Sequence, residues 1–319
     1  RPIAELPARA SRATQLRFAA LMIALIVALV ASNGRSHVGA DELDLGDENS
    51  WIRIQNVGIH PANIEIDFYD VGGARLTTDV CPQSDRCTAL SPGFGWSFFQ
   101  QGLDGLPEGY RGSAYVTVDQ PFVSMLARDS FKDGVFQISG DSLRLGNPSP
   151  VQYAPIVQNL PTTVSRISIE NASDRKDACV ETSYYYEGQL TPAVVDPPGP
   201  TEGCPDGGYL LAARATIVRD EHTLPVPGDF DGSAVIRTYR TASGVAADDQ
   251  KPAMIVDTRE REAQGLATYR GLDAAELSRV VALPLVDRQA SEGQTTWSTR
   301  FRIMNGDLAA PNDVTLLFE

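Results

Sequence analysis

Apolar and polar residues alternate along Ser165 to Asn171, S-R-I-S-I-E-N, and the chain repeats the pattern twice more. Trp51 to Asn56 reads W-I-R-I-Q-N, and Ser298 to Asn305 reads S-T-R-F-R-I-M-N. Alternation at period two puts Ile167 and Ile169 on one face and Arg166, Ser168 and Glu170 on the other, which predicts a half-buried strand. The Asn that closes each run suits a turn, because its side chain bonds local backbone and tolerates left-handed geometry. Self-similarity at this long period indicates repeated structural units.

The first repeat predicts strands at Trp51–Gln55, Asn63–Tyr69 and Phe122–Ala127, with a turn at Asp70–Gly73. Leu90–Phe99 carries aromatics around a Pro-Gly turn, and Leu106–Val118 runs from a turn into a strand. Six or seven strands in about 100 residues is the rhythm of a β-sandwich. The second repeat restates the plan: Tyr153–Val157, the Arg166 strand, Ala178–Tyr186, one strand over Tyr209–Val218, and Leu224–Ile236. Gly112-Ser113-Ala114 matches Gly232-Ser233-Ala234, and Lys251-Pro252 to Asp257 parallels Gln120-Pro121 to Arg128. Asp273–Val281 predicts a short helix with Asp273 as its cap.

A third unit starts at Ala282, passes Phe301–Asn305 and reaches the strand Val314–Phe318. Two strands cannot bury their own face, so they are expected to dock on the second repeat or stay poorly ordered. The chain begins without Met and stops inside this unit, so the reading expects a piece of a longer array. The predicted fold class is all-β: tandem β-sandwich domains over 41–150 and 151–281, a truncated third repeat over 282–319, and an export segment over 1–40.

A chain of 319 residues, 42% apolar and 21% charged, has room for two or three domains and is not a disordered composition. The net charge is −14. Residues 1–40 hold five Arg against Glu5, a surplus of +4, so the remainder carries −14 − 4 = −18. So acidic a body repels phosphate backbones, which disfavours nucleic acid, and no nucleic-acid partner is expected. Arg9, Arg12 and Arg17 precede an uncharged apolar run of 14, Phe18 to Ala31. That length fits a signal-peptide core, and Val38-Gly39-Ala40 supplies small residues for cleavage. An uncleaved anchor is the alternative, with membrane contact only through residues 18–31 and the body outside. The predicted localisation is therefore secreted or cell surface. Four cysteines fit that compartment, paired Cys81 with Cys87 and Cys179 with Cys204, one bridge per repeat. Neither pair has Cys-x-x-Cys spacing and His37, His60 and His222 are scattered, so zinc is excluded.

The candidate chemistry is sparse. Gly140-Asp141-Ser142-Leu143 spells the nucleophile motif of GDSL hydrolases, but no Asp stands three residues before any His, so Ser142 is assigned to an interdomain loop. Gly228-Asp229-Phe230-Asp231-Gly232 has the carboxylate spacing of a calcium loop, with Asp229 and Asp231 as ligands, although Gly109–Gly112 in the first repeat has no carboxylate. Trp96 and Tyr185 lead an aromatic set, Trp96, Phe98, Phe99 and Tyr184–Tyr186, that is expected either to stack on a sugar or partner or to face the core. Asn171-Ala172-Ser173 is both a glycosylation sequon and the repeat's turn.

Ile52–Gly58 (I-R-I-Q-N-V-G), Ile64–Gly73 (I-E-I-D-F-Y-D-V-G-G) and Leu90–Gly93 (L-S-P-G) resemble the Ig-like repeats of bacterial surface proteins, in particular the CARDB-type cell-adhesion-related domains. The resemblance spans residues 51–129 and, more loosely, 153–258. It implies an extracellular, non-catalytic module and carries over no functional residue. The expected function is a non-enzymatic surface stalk, adhesion or matrix module that meets cell-surface or matrix components, glycans or like subunits. No cofactor is expected beyond the calcium candidate. The alternative is a carbohydrate- or ligand-binding module serving an enzyme beyond this chain.

Overall fold

The alternation in Trp51–Asn56 becomes a strand with Ile52 and Ile54 buried and Arg53 and Gln55 on the opposite face. The computed structural model describes residues 48–81, 89–100, 103–132, 135–141, 149–260, 266–278, 290–292, 295–297, 302–307 and 313–315. All of them belong to one compact unit, Gly46–Glu319. The protein is all-β: no α-helix occurs among the described residues, only single 3₁₀ turns at Ala247–Asp249 and Ala274–Glu276.

A first module comprises β1 (Glu48–Asn56), β2 (Ile64–Asp70), β3 (Arg75–Cys81), β4 (Gly95–Phe99), β5 (Gly112–Val118), β6 (Phe122–Lys132) and β7 (Val135–Asp141). An antiparallel sheet ordered β4-β1-β6-β7 and a second ordered β3-β2-β5 enclose a core of Ile52, Ile54, Ile64, Ile66, Phe68 and Phe98.

A second module comprises β8 (Val151–Asn159), β9 (Thr163–Asn171), β10 (Ala178–Tyr186), β11 (Val194–Asp196), β12 (Tyr209–Leu211), β13 (Thr216–Arg219), β14 (Phe230–Tyr239), β15 (Pro252–Glu260), β16 (Leu266–Arg270) and β17 (Leu272–Asp273). Its strands form a single sheet, β11-β10-β14-β8-β9-β15-β16, with β12, β13 and β17 added at its sides. β8 meets β9 only at Asn159↔Val164, so the sheet turns a corner there. The two halves enclose Ile167, Ile169, Tyr184, Phe230, Ile236 and Met254. A hairpin of β18 (Ala290–Glu292) and β19 (Thr295–Trp297) follows.

The shared Gly-Ser-Ala has a packing cause. Ala114 lies opposite Phe68 and Ala234 opposite Tyr184, each small residue leaving room for a buried ring. Those rings meet Tyr110 and Phe230 edge to face at 6.3 and 6.2 Å between centroids. A Cβ on Gly112 would strike Tyr69 O and one on Gly232 would strike Tyr185 O, so both positions exclude any side chain.

The closing Asn is equally regular. Asn56 Nδ2 donates to His60 O (2.7 Å) and Leu90 O (2.8 Å), and its Oδ1 takes the Gly58 N–H (2.8 Å). Asn171 Nδ2 donates to Lys176 O (2.8 Å), Leu211 O and Ala212 O (both 3.1 Å), and its Oδ1 takes the Ser173 N–H (3.2 Å). Asn171 is fully buried and its amide is committed, which corrects the sequon reading: this side chain is not presented for glycosylation.

Other expectations are corrected by local geometry. Tyr209–Val218 is not one strand, because Arg214 at φ 64° breaks it into β12 and β13. Pairing of Asn56 with Phe122 and of Asn171 with Pro252 makes Phe122 the counterpart of Pro252, one residue off the Pro-to-Pro match. Of the helix expected over 273–281, the described residues, which end at Ser278, form one 3₁₀ turn, with the Asp273 N–H donated to Glu276 Oε2 (2.9 Å).

Cys179 and Cys204 form a disulfide across 25 positions, both side chains buried. Cys81, buried at the end of β3, is also disulfide-bonded, while Cys87 lies outside the described residues. Among the described residues no helix is long and apolar enough to cross a membrane; residues 18–31 lie outside them.

Candidate functional site

The side chains with unusual environments gather where the two modules meet. The loop from Leu211 to Thr216 in the second module is the counterpart of Leu90 to Gly95 in the first. In each, the first residue's carbonyl accepts from the closing Asn side chain, and the fifth residue's carbonyl accepts the Asn backbone N–H. The fourth position is left-handed in both: Gly93 at φ 78° and Arg214 at φ 64°. Glycine takes that conformation freely, whereas an L side chain pays about 1–2 kcal/mol for it.

The contacts of Arg214 offset that strain. Its guanidinium lies 3.1 Å from the centroid of the Tyr115 ring and 5.7 Å from that of Tyr69, two cation–π contacts with the first module. Its Nη1 donates to Ala172 O (2.7 Å), and the Tyr115 hydroxyl donates to the same carbonyl (2.8 Å). Thr216 N donates to Val71 O (3.0 Å), so main chain bonds to main chain across the junction. Gly73, at φ 86°, runs so close to Ala213–Ala215 that a Cβ would collide with Ala213 O.

Glu170 sits behind this contact. Its Oε1 and the Ser113 hydroxyl are both buried without an aligned hydrogen bond. Burial pushes the Glu170 carboxyl up to about 7, and Ser113 and Arg214 pull it back only in part. The Tyr110 hydroxyl is pushed far above its ordinary value, by burial first and by the Glu170 charge second. The fold therefore holds the Glu170 proton more tightly than the unfolded chain, whose carboxyl keeps its ordinary 4.5. This stabilisation is fully present below the unfolded value and is lost as pH rises from there to about 7. The loss amounts to roughly 3 kcal/mol at about 1.4 kcal/mol per pH unit. Urea midpoints at pH 5 and pH 8 check this: Glu170→Gln is expected to flatten the difference, and parallel profiles for the two proteins would contradict it.

A second contact centres on Asp257, whose side chain is 3% exposed. Its Oδ2 takes Arg166 Nε and Nη2 (both 3.2 Å) from β9, and its Oδ1 takes the Thr268 hydroxyl (2.8 Å) from β16. Arg128 Nε, from β6 of the first module, lies 3.1 Å from the same Oδ2. Alongside, Thr268 N donates to Ser139 Oγ (2.7 Å) and Arg270 N to Asp141 Oδ2 (2.9 Å), tying β16 to β7. The exposed Arg111–Asp220 pair at 3.5 Å adds little.

The chain was compared with family models, curated proteins and solved structures. None matches.

The residues singled out in the sequence scatter relative to this junction. Trp96 and Phe99 are exposed, Phe99 stacking on Trp51 at 5.7 Å, while Phe98 is buried. Tyr185 is buried against Tyr153, Val235 and Met304, and Tyr184 is enclosed in the core, so neither lies on an open face for a ligand. Asp229 is exposed, but Asp231 is engaged: its Oδ1 takes Arg302 Nη1 (2.7 Å) and Gln158 Nε2 (3.1 Å), and its carboxyl is held below the ordinary range by Arg302 first. Among the described residues no group of three or more His, Cys, Asp or Glu is placed to hold a metal ion. Ser142 lies outside the described residues, although Gly140 and Asp141 end β7. Sequence reasoning missed Arg214, Asp257, Arg128 and Glu170. The one available signal was Asp257, a lone carboxylate ending the apolar run A-M-I-V.

Proposed function

We propose that the chain is an exported, non-catalytic surface module, a tandem of Ig-like β-sandwiches serving as a stalk, adhesion or matrix element. The observation that carries this reading is the junction: the Tyr115–Ala172 hydrogen bond, the Arg128–Asp257 ion pair and a main-chain bond join one module to the next. A spacer needs that fixed setting, because relative domain motion is the default where an interface is small and weakly bonded. The buried disulfide supports an oxidising, extracellular compartment. The acidic body favours cell-surface or matrix components, glycans or like subunits as partners over nucleic acid. A second reading, a glycan-binding accessory to an enzyme, rests on exposed Trp96.

The test uses intact cells of the native host. An antibody raised against the first module is expected to label them without permeabilisation, and the extracted protein to have no free thiol. An esterase or lipase activity of the purified chain that disappears in Ser142→Ala would overturn the non-catalytic reading. Saturable binding on a glycan array that is lost in Trp96→Ala would move it to the second.

A further inference from the structure

The molecule makes one kind of polar contact twice. At the junction, the carbonyl of the residue after Asn171 accepts from a tyrosine of the preceding module: Tyr115 OH to Ala172 O, 2.8 Å. At the far end of the second module, the carbonyl after Asn305 accepts in the same way: Tyr153 OH to Gly306 O, 3.3 Å. Asn305 also makes the turn its two counterparts make, its Oδ1 taking the Asp307 N–H at 3.0 Å. Arg302 pairs with Asp231 (2.7 Å) and donates to Gly232 O (3.3 Å), while Met304 packs on Tyr153, Tyr185 and Val235. An Asn-turn pole thus docks on a tyrosine-bearing pole at both places.

The first module has an Asn-turn pole too, and among the described residues nothing covers it. Where the second module places Ala172 and Ala215 at 2% and 6% exposure beneath the first, the equivalent Val57 and Phe94 are 53% and 67% exposed. Ile59, in the same loop as Val57, is 82% exposed. Asn56 N bonds to Phe94 O and Val57 N to Pro121 O, so the three loops form one pole. Clustered large apolar residues at the tip of a charged protein mark an interaction surface.

We propose that this pole docks head to tail on the Tyr153–Tyr185 pole of the second module in another copy of the chain. The internal junctions supply the template: the incoming Val57 carbonyl takes the place of Gly306 O opposite the Tyr153 hydroxyl, and Phe94 and Ile59 take the place of Met304 against Tyr153 and Tyr185. The segment Arg302–Asp307 already occupies that pole within its own chain, so it competes with the incoming copy and keeps association weak. A heterologous contact of this kind extends into open chains rather than closed dimers. The inference rests on the tandem-module reading but not on export or on a lack of catalysis.

Sedimentation velocity on the full chain tests it. Arg302→Ala with Met304→Ala is expected to associate at a concentration at least about tenfold below the wild type, since each 1.4 kcal/mol of competition removed is tenfold. Adding Val57→Asp and Phe94→Asp, both at exposed positions, is expected to return the protein to monomer. For head-to-tail contact, the Val57→Asp/Phe94→Asp protein that also carries Arg302→Ala/Met304→Ala, mixed with a Tyr153→Phe/Val235→Asp protein, is expected to stop at monomers and 1:1 pairs. Near-UV circular dichroism confirms that each variant is folded; a Val235→Asp protein that fails this check is replaced by Tyr153→Phe with Asp231→Arg. A Arg302→Ala/Met304→Ala protein that stays as monomeric as the wild type overturns the proposal, as does association untouched by the pole substitutions. Flotation with neutral phosphatidylcholine vesicles, lost in Val57→Asp/Phe94→Asp and without self-association, would assign the pole to lipid instead. None of these readouts moves if the surface or non-catalytic reading fails.

Discussion

Replacing Asp257 with Ala is expected to destabilise the protein by about 3–5 kcal/mol, because it strands a buried pair of cations. The carboxylate accepts from Arg166 on its own module and forms an ion pair with Arg128 on the other, and both arginines are largely enclosed, at 16% and 22% side-chain exposure. Without the carboxylate, neither guanidinium regains full hydration and each repels the other. Arg128→Ala is expected to cost much less, about 1 kcal/mol, since Asp257 keeps Arg166 and the Thr268 hydroxyl. The double variant Arg128→Ala/Asp257→Ala is expected to recover part of the single loss, because one stranded cation is gone. Urea denaturation of the four proteins, followed at both far- and near-UV wavelengths, measures the cycle. A loss below 1 kcal/mol in Asp257→Ala would mean that water reaches the arginines and that the contact does not hold the modules together.

The contrast between this pair and the strands shows what a sequence can and cannot reveal. Period-two alternation is a property of one segment, so β1, β2, β9 and β10 were legible from residues that neighbour each other in the chain. The match of Gly-Ser-Ala between modules was legible for the same reason, although its cause, a ring on the facing strand, was not. Asp257 and Arg166 became neighbours only once β9 and β15 paired in register, and Arg128 joined them only once the modules docked. Such a site depends on two separate associations, one between strands and one between modules, and no local pattern encodes them.

Arg214 was concealed differently. Propensity assigns left-handed positions to glycine, so an arginine within Y-L-L-A-A-R-A-T-I-V reads as a strand residue. Its conformation is imposed by the Tyr69 and Tyr115 rings and by the Ala172 carbonyl. The first module, with Gly93 at the equivalent place, needs no such support. The aromatic run left two readings open, and packing separates them: β10 pairs with strands on both sides and its core face takes Tyr184 whole, which is the core-facing alternative. Trp96 stays exposed near the start of β4, which among the described residues pairs only with β1.

The closing asparagines lead to the other large expected effect. Asn171→Ala is expected to cost about 4 kcal/mol, because the amide serves groups that water cannot reach once the modules are docked. Leu211 O and Ser173 N both lose a buried partner, at roughly 1–3 kcal/mol for each group left unsatisfied. The bonds to Lys176 O and Ala212 O, less enclosed, are replaced by water at little cost. Asn56→Ala breaks the same set of contacts in the first module, but Gly58 and His60 are partly open, so a smaller loss of about 2 kcal/mol is expected. The difference follows from position rather than from residue type: both Asn side chains are fully buried, but the turn at Asn171 is sealed beneath a neighbouring module whereas Val57 and Ile59 of the turn at Asn56 face solvent. Aspartate keeps the acceptor and loses the donor, so Asn171→Asp is expected to be no better than Ala, with its charge buried against three carbonyls. Equilibrium denaturation of Asn56→Ala, Asn171→Ala and Asn171→Asp settles the order. Equal losses at positions 56 and 171 would show that the covering module contributes nothing to the strength of the turn, and the junction would then be a contact without mechanical consequence.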